Sequence, residues 1–423
     1  MTVTVEPAVL EGRIPAIASK SQAHRLMICA ALSEKETQIF CREPSEDILA
    51  TVRCLEALGA RIQRKRDSFR VMPLPRGEAD TARLNCGESG STYRLLAPLA
   101  CALGRSADFC LAGKLPERPM ESLWAALETH GAWIEGKGTA CPRVTGPISP
   151  GRYEISGGVS SQFISGLLFA LSSFPGENEL KIRGQTVSGG YIRMTLDALN
   201  LFGVQTEYVD GSYLVIGRES LITPGTVTVE GDWSNAAFWL CAGAIGRKDI
   251  TLTGILPESL QGDRAICQLL RNFGAKVEVR KDCVTARPGE LNGICVDIAG
   301  IPDLAPVLAV AAAGAKNETI LKNAGRLRLK ESNRLHTICQ TLNLLGGEAF
   351  YTEDEIHICG KGGLRGGTVD SCGDHRIAMM AAVSSALCRE SVCITNAQAV
   401  EKSYPAFFED FAALGGRITK EER

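Results

Sequence analysis

Six short segments of the chain end in glycine after a stretch whose apolar residues recur at helical spacing. They are LEALGA, LETHGA, LNLFGV, LRNFGA, LNLLGG and FAALGG, whose first glycines are Gly59, Gly131, Gly203, Gly274, Gly346 and Gly415. These glycines lie 72, 72, 71, 72 and 69 residues apart, which indicates six copies of one unit. A glycine directly after an amphipathic stretch is typical of the left-handed residue that ends a helix. We therefore predict an amphipathic helix before each glycine.

Each copy also contains a second segment that is apolar on all sides. The six segments are SQAHRLMICAAL, GSTYRLLAPLACAL, SSQFISGLLFAL, WSNAAFWLCAGAI, DLAPVLAVAAA and HRIAMMAAVSSALC. Segments of this length and composition are typical of buried helices. Alternating segments such as KVEVRKDCVTA and EAFYTEDEIHIC predict two strands joined by a turn. Each copy is thus predicted to run strand, apolar helix, strand, amphipathic helix and two strands.

The predicted fold class is α/β (α+β), with two similar domains of three βαβαββ repeats each. One unit of about 70 residues buries too little surface to be securely stable alone, so several must share a core. The last copy ends abruptly at RITKEER, whereas VTVEPAVLEGRIPAIA precedes the first apolar helix as a strand without a repeat of its own. We therefore predict an N-terminal domain over 19–230, and a C-terminal domain over 231–423 that the strand in 1–18 completes.

Composition favours a cytosolic protein. The chain is 45% hydrophobic and 22% charged, and its formal charge of −2 gives no reason to expect nucleic acid or a membrane as partner. The sixteen cysteines are scattered without a CxxC pair, which is typical of small core residues in a reducing compartment. The N-terminus resembles no targeting leader, and no run of about 18 uncharged apolar residues occurs. Because the net charge of the whole chain is close to zero, any anion-binding site must come from a local group of cationic residues.

Polar and cationic residues gather where the apolar helices begin. These residues are Lys20, Ser21, Arg25, Glu88, Ser89, Gly90, Ser91, Arg94, Ser160, Ser161, Gln162, Asp232, Ser234, Asp303, Asp374, His375 and Arg376. Serine and aspartate are ordinary N-caps, but a cation there opposes the helix dipole at a cost of about 0.3 to 1 kcal/mol. A charge-assisted hydrogen bond to a phosphate or carboxylate contributes about 1.5 to 3 kcal/mol. An anionic ligand would more than offset the cost.

Nine motifs occur in the order found in the EPSP synthase family, and the chain resembles that family from residue 19 to about 408. The motifs are SKSQAHR, SGSTYR, LPERP, VSSQF, VSGGY, IPD, RLKESNR, GDHR and EKSYP. The resemblance implies two domains, each of three βαβαββ units, with the N-termini of the apolar helices facing an interdomain cleft that holds the active site. It also implies transfer of the enolpyruvyl group of phosphoenolpyruvate to the 5-hydroxyl of shikimate 3-phosphate, with release of phosphate, in aromatic amino acid biosynthesis. No cofactor or metal and a monomeric enzyme are expected.

The resemblance also implies roles for individual residues. Those expected to hold shikimate 3-phosphate are Ser21, Arg25, Ser160, Ser161, Gln162, Ser188 and Lys330, with Tyr191 packing nearby. Those expected to hold phosphoenolpyruvate are Lys20, Gly90, Arg118, Arg334, Arg376 and Lys402. Because one proton must leave the hydroxyl and another must reach the methylene carbon, the reaction suits an ionised and a protonated carboxyl group. Asp303 is the candidate base, Glu331 the candidate acid, and Lys20 would stabilise developing charge.

The sequence departs from the family pattern at a few positions. Arg326 stands where some members place an asparagine, so we leave it out of the site. VSGGY has glycines where others carry Lys-Pro, Glu88 replaces a common asparagine, and Ser91-Thr92 replaces Thr-Ala. The last two changes border the expected phosphoenolpyruvate pocket.

Three alternatives remain. The sister enolpyruvyl transferase that acts on UDP-N-acetylglucosamine uses a loop cysteine, but Cys110 lies eight residues before Arg118 and Gly113 stands where that thiol belongs. A relative of the RNA-end phosphate cyclases would need a basic stripe that this chain lacks. A non-catalytic anion-binding repeat scaffold would explain the periodicity, but it would leave Lys20, Asp303, Glu331 and Arg376 without a role.

Overall fold

The computed structural model describes residues 1–75 and 81–421, and the chain divides into two compact units. The N-terminal unit is Ala18–Val229, and the C-terminal unit combines Met1–Ile17 with Glu230–Arg423. Each unit has its own cluster of buried hydrophobic side chains.

The described residues form twelve α-helices. They are α1 Lys20–Ala31, α2 Glu46–Ala57, α3 Gly90–Ala102, α4 Glu121–Glu128, α5 Ser161–Ser172, α6 Gly189–Leu201, α7 Trp233–Ile245, α8 Ile266–Phe273, α9 Ala305–Ala313, α10 Arg334–Leu344, α11 His375–Ser384 and α12 Phe407–Ala413. The odd-numbered helices are the six predicted apolar segments, and the even-numbered helices precede the six repeated glycines.

The described part of the chain also forms 24 strands. They are β1 Thr2–Glu6, β2 Gly12–Pro15, β3 Thr37–Phe40, β4 Arg61–Lys65, β5 Ser68–Met72, β6 Ala82–Gly87, β7 Ser106–Leu111, β8 Trp133–Glu135, β9 Arg143–Thr145, β10 Arg152–Ser156, β11 Gly176–Arg183, β12 Gln205–Val209, β13 Ser212–Gly217, β14 Thr226–Thr228, β15 Ile250–Thr253, β16 Lys276–Val279, β17 Cys283–Arg287, β18 Cys295–Asp297, β19 Lys316–Lys322, β20 Ala349–Tyr351, β21 Glu355–Lys361, β22 Gly367–Asp370, β23 Val392–Thr395 and β24 Arg417–Glu421. They pair into six four-stranded sheets.

The sheets share one pattern. In the order β6-β7-β9-β8, the first two strands are parallel and flank α3, and the hairpin β8–β9 follows α4. The orders β10-β11-β13-β12 and β18-β19-β21-β20 repeat this arrangement. These three copies confirm the predicted run of strand, apolar helix, strand, amphipathic helix and two strands.

The other three sheets borrow a strand from a distant part of the chain. In the N-terminal unit, β14 takes the first position beside β3. In the C-terminal unit, β2 pairs in parallel with β15, and β1 lies between β23 and β24. The prediction of one strand before the first apolar helix was therefore wrong, because this segment forms two. Pro7 directly follows β1 and lacks the N–H that a continuing strand would need.

The six repeated glycines end their helices as predicted. Their φ angles are 104°, 107°, 78°, 114°, 87° and 93° in chain order, all in the region that side chains rarely adopt. The apolar helices are buried nearly throughout, and every residue of α9 is buried. Among the described residues, none of the helices combines the length and apolar character that crossing a bilayer requires.

Candidate active site

Serine side chains cap three apolar helices of the N-terminal unit. Ser19 accepts a hydrogen bond from Gln22 N at 3.3 Å before α1. Ser89 does the same for Thr92 N at 3.4 Å before α3, and Ser160 for Gln162 N at 3.3 Å before α5. Capping therefore accounts for Ser160 locally, and it fixes the direction in which the helix N–H groups point.

Arg25 is held in place by several oxygen atoms. Its Nε donates to Thr195 Oγ1 at 2.8 Å, and its Nη2 donates to Tyr191 O at 2.8 Å and to Ser165 Oγ at 3.3 Å. Its Nη1 donates to Ser21 O at 2.5 Å. Burial lowers the pKa of Arg25 to about 10, so the guanidinium stays charged at neutral pH. The structure thus brings together the predicted residues Ser21, Arg25 and Tyr191.

Gln162 is oriented by two neighbours from α3. Arg94 Nη1 donates to Gln162 Oε1 at 2.9 Å, and Gln162 Nε2 donates to Ser91 Oγ at 2.9 Å. Arg94 also lies over the ring of Phe163, 5.4 Å from its centroid. Because both ends of the amide are bonded, the carboxamide has one preferred orientation.

Gly90 and Arg118 lie in contact, as a site shared by these two predicted residues requires. A Cβ added to Gly90, the first residue of α3, would lie 2.8 Å from Arg118 Nη1. Arg118 Nε is buried, and the described residues offer it no hydrogen-bond acceptor. Glycine is therefore required if the guanidinium is to keep its position.

Three further predicted residues of the N-terminal unit have distinct surroundings. Lys20 begins α1, and its Nζ lies 2.9 Å from Asp47 Oδ2. Ser161 is the first residue of α5 and is buried. Ser188 precedes α6 in the left-handed region, with φ 54°. A non-glycine residue is strained there, and such strain concentrates at functional sites.

The C-terminal unit contains a group of charged residues that we call the carboxylate cluster. Its members are Asp303, Lys330, Glu331, Arg334, Asp374, Arg376 and Lys402. All except Asp374 belong to the predicted site. Their positions along the chain span about one hundred residues, so the fold brings them together.

Asp303 lies at the centre of three cations. Its Oδ1 is 3.1 Å from Lys330 Nζ and 3.0 Å from Arg334 Nη1, and its Oδ2 is 3.4 Å from Arg376 Nη2. Burial alone would raise the pKa of Asp303, but Arg376, Lys330 and Arg334 together hold that pKa well below the usual carboxyl range. Asp303 is therefore ionised at neutral pH.

The local structure around Asp303 differs slightly from the prediction. Asp303 lies in a 3₁₀ turn, Pro302–Leu304, and α9 itself begins at Ala305. Pro306 has no N–H, but at the second position of α9 no intrahelical hydrogen bond requires one. Asp303 thus lies two residues before the helix that it was expected to open.

Glu331 faces two cations of the cluster. Arg334 Nη2 donates to Glu331 Oε2 at 2.8 Å, and Lys402 Nζ lies 3.9 Å from Glu331 Oε1. Arg376 Nη2 donates to Ser234 Oγ at 2.9 Å, which positions the guanidinium at the start of α7. Burial alone would lower the pKa of Arg376, but Asp303, Asp263 and Asp232 together raise it above the ordinary arginine value, so buried Arg376 keeps its charge.

Sequence reasoning missed several residues that position the predicted ones. Asp47 pairs with Lys20, Thr195 and Ser165 hold Arg25, and Asp374 holds Arg334. Asp47 stands in the first turn of α2, where an acidic residue is ordinary. Asp374 did carry a signal, since it stands directly before His375 and Arg376 at the start of an apolar helix, where a buried cation such as Arg376 needs an acidic partner.

Comparison with known proteins gives consistent matches. The sequence model described as EPSP synthase (3-phosphoshikimate 1-carboxyvinyltransferase) matches residues 5–411. A 3-phosphoshikimate 1-carboxyvinyltransferase of Clostridium kluyveri is 39% identical over 421 residues, covering 98% of each chain, and one of Clostridium novyi is 37% identical over 426 residues with the same coverage. A solved structure of an Acinetobacter baumannii EPSP synthase superposes with a TM-score of 0.82 at 26% identity, covering 99% of this chain and 100% of that one.

The fold identifies the class of protein to which the chain belongs. The two units, each with three four-stranded sheets, have the two-domain enolpyruvyl transferase fold. Within that class, the chain belongs to the EPSP synthase family. It is therefore an enzyme of enolpyruvyl transfer from phosphoenolpyruvate to shikimate 3-phosphate, a step of aromatic amino acid biosynthesis.

Proposed function

We propose that the chain carries out this transfer with Asp303 as general base and with the carboxylate cluster as part of its substrate site. The observation that carries the proposal is the environment of Asp303, an ionised carboxylate in contact with Lys330, Arg334 and Arg376. Anionic groups of the substrates would take these cations as partners. With fewer cationic partners, Asp303 would have a higher pKa, and it would become a stronger base beside the substrate hydroxyl.

The proposed reaction has an addition step and an elimination step. In the addition, Asp303 takes the proton of the 5-hydroxyl, whose oxygen bonds to the phosphate-bearing carbon of phosphoenolpyruvate. Glu331 gives a proton to the methylene carbon, which yields a tetrahedral adduct with a methyl group. In the elimination, the carbon–oxygen bond to phosphate breaks, the departing phosphate takes the proton that Asp303 holds, and Glu331 retrieves a methyl proton. The products are the enolpyruvyl ether and inorganic phosphate.

The protonated form that this role requires of Glu331 depends on the substrates. Arg334 and Lys402 contact Glu331, and cations at this distance favour a carboxylate. A bound phosphate group would compete with Glu331 for both cations. We infer that phosphoenolpyruvate binding supplies the condition under which Glu331 takes up a proton.

The substrate contacts follow from the same proposal. Shikimate 3-phosphate is assigned to Ser21, Arg25, Ser160, Ser161, Gln162, Ser188 and Lys330, with Tyr191 beside it. Phosphoenolpyruvate is assigned to Lys20, Gly90, Arg118, Arg334, Arg376 and Lys402, and Lys20 also stabilises developing charge. The bonded positions of Arg25 and Gln162 support these assignments, because a preorganised site loses little entropy on binding.

A cytoplasmic location and a monomeric state complete the proposal. Ten of the sixteen cysteines are buried, and burial raises the pKa of thiols such as Cys41, to about 12. Buried thiols of this kind pack as small apolar side chains, which suits a reducing compartment. Sedimentation of the purified chain across a range of concentrations tests the monomer.

The test of the function is phosphate release from purified protein with shikimate 3-phosphate and phosphoenolpyruvate. We expect release only when both are present, and a product that carries the enolpyruvyl group on the 5-hydroxyl. Arg376→Ala should lower turnover at least a hundredfold, because it removes a charged contact made inside the site. Arg417→Ala is the matched control, since exposed Arg417 forms an ion pair with Glu6 at the surface, 3.0 Å from Nε to Oε2.

The acceptor distinguishes this proposal from its nearest alternative. Release with UDP-N-acetylglucosamine in place of shikimate 3-phosphate would contradict the proposed acceptor while leaving the class of reaction intact. Equal activity of Arg376→Ala and the unaltered chain would contradict the site.

A further inference from the structure

Cys110 and Cys141 lie directly opposite each other on neighbouring antiparallel segments of the N-terminal unit. The pairing of β7 with β9 aligns Asp108 with Arg143. The same register continues beyond β9, because Phe109 N donates to Pro142 O at 2.9 Å and Leu111 N donates to Ala140 O at 2.8 Å. Cys110 therefore faces Cys141.

This position in the ladder has the geometry of a disulfide. The hydrogen bonds join residues 109 to 142 and 111 to 140, so the pair between them is a non-hydrogen-bonded pair. The Cα atoms of such a pair lie about 4.5 Å apart, with side chains closer than in the neighbouring pairs. A disulfide accepts Cα separations of about 4.4 to 6.8 Å.

Both thiols lie on the side of the sheet that faces away from the core. Ala107, Phe109 and Leu111 of β7 are buried, so the alternate residue Cys110 points to the opposite face, where it is half-buried. Cys141 is exposed. A cavity of about 440 Å³ opens over the pair, and Arg83, Asp108, Glu135 and Arg143 share its lining with the two cysteines.

The cavity supplies a cation for one sulfur. Arg83 Nε donates a hydrogen bond to Cys110 Sγ at 3.1 Å. The other arginine of the cavity, Arg143, is engaged by Asp108 through contacts of 2.5 and 2.8 Å. Arg83 is thus placed to stabilise negative charge on Cys110 while that sulfur attacks or leaves.

A second pair of cysteines in the same unit lacks this access. The sulfurs of Cys54 and Cys86 lie 3.9 Å apart, but both side chains are inaccessible to solvent. Burial raises the pKa of Cys86 well above the ordinary thiol value. Proximity alone therefore does not select Cys110 and Cys141, whereas proximity together with access does.

We propose that Cys110 and Cys141 form a dithiol modification site that reacts with low-molecular-weight disulfides and closes into a cross-strand disulfide. The thiolate of exposed Cys141 attacks one sulfur of the small disulfide, and one small thiolate leaves. Cys110 then attacks the Sγ of Cys141 in this mixed disulfide, and the second small thiolate leaves. Two protein thiols are oxidised, one small disulfide is reduced to two thiols, and the two thiol protons go to solvent or to the departing thiolates. The site does not depend on the proposed function.

The test is incubation of the reduced chain with oxidised glutathione, followed by blocking of thiols and peptide mapping by mass spectrometry. We expect the peptides of Cys110 and Cys141 to be joined, with a mass lower by two hydrogen atoms and no retained glutathione. In Cys110→Ser, glutathione should remain on Cys141 at least about tenfold longer than in the unaltered chain, because the neighbouring thiol resolves the adduct.

Cys295→Ser is the matched control. Cys295 is also exposed in a strand, but its register partner is Ile320. This variant should form the Cys110–Cys141 cross-link at the rate of the unaltered chain. A stable glutathione adduct on Cys141 of the unaltered chain, with Cys110 still a free thiol, would overturn the proposal.

Discussion

Arg334 and Asp374 form a two-point ion pair inside the C-terminal unit. Arg334 Nε lies 2.7 Å from Asp374 Oδ2, and Nη2 donates to Asp374 Oδ1 at 3.0 Å. Their side chains are 1% and 0% exposed. Asp374 also accepts hydrogen bonds from Ser332 Oγ and from Arg376 N, each at 3.0 Å. One carboxylate thus fixes Arg334, the turn before α10 and the start of α11.

Asp374→Ala should therefore lower the free energy of unfolding strongly. Removal of one partner leaves a buried cation without part of its compensation, and such losses amount to about 3 to 5 kcal/mol. Because Asp303 and Glu331 still contact Arg334, we expect the lower end of this range. Urea unfolding measures the change. Asp249→Ala, which removes an exposed partner of Arg287, should cost far less, because solvent screens this pair. Equal losses in the two variants would contradict the central role of Asp374.

Gly90→Ala should weaken the binding of phosphoenolpyruvate without unfolding the chain. The new Cβ would lie 2.8 Å from Arg118 Nη1, and the far end of this flexible side chain can move aside at little cost to the fold. The displaced Arg118 guanidinium would no longer contact phosphoenolpyruvate. We therefore expect KM for phosphoenolpyruvate to rise about tenfold, or roughly 1.4 kcal/mol, with a smaller change in kcat.

Steady-state kinetics with each substrate varied in turn checks this. Gly158→Ala is the control, because its Cβ would meet nothing closer than Ser156 Oγ at 3.9 Å. An unchanged KM in Gly90→Ala would show that Arg118 does not bind phosphoenolpyruvate from this position.

The repeat architecture could be predicted because it depends on local signals. Hydrophobic periodicity locates the helices, and a left-handed glycine such as Gly274 or Gly346 ends them by a constraint that acts within a few residues. The strands that cross between copies were harder. Nothing in the local sequence of β14 indicates that it pairs with β3, which lies almost two hundred residues earlier.

The partners of the site residues could not be predicted for the same reason. A cation such as Lys20 or Arg334 at the start of a helix shows that some anion is needed, but a single sequence does not say which one. Asp47 and Asp374 each satisfy part of that need from within the protein. The sequence predicted that an anionic ligand would offset the cost of such cations, but it did not identify these protein partners, because contacts between distant segments are fixed by packing.

His24 should make the stability of the N-terminal unit depend on pH. It is fully buried, with Nδ1 2.7 Å from Thr51 Oγ1. Burial, partly opposed by Asp47, lowers the pKa of His24 to about 3. The unfolded chain binds a proton at His24 near pH 6.5, whereas the folded chain does not bind it until near pH 3. The free energy of unfolding is therefore unaffected by His24 above pH 6.5, and it decreases progressively as the pH falls from 6.5 towards 3. At pH 4.5 the loss is about 2 to 3 kcal/mol.

His24→Gln removes the titrating group. Urea unfolding at pH 7.5 and at pH 4.5 should show a difference that is about 2 to 3 kcal/mol smaller in this variant than in the unaltered chain. His336→Gln, a change at an exposed histidine, should keep the full difference. If His24→Gln retains the same dependence on pH, His24 is not the group that takes up the proton.

Asp303→Asn should abolish the proton transfer while keeping the shape of the site. The amide can accept hydrogen bonds from Lys330 and Arg334 in place of the carboxylate, but it cannot take a proton from a substrate hydroxyl. A positioned general base contributes about 10² to 10⁴ in rate, so we expect kcat to fall by that factor while the dissociation constant of shikimate 3-phosphate changes little. Single-turnover kinetics together with equilibrium binding separates the two quantities.

Asp282→Asn, at an exposed acid of the same unit, is the control and should leave both kcat and the dissociation constant unchanged. A variant of Asp303 that binds poorly but turns over at the normal rate when saturated would assign Asp303 to binding alone, and the base would then have to be sought elsewhere.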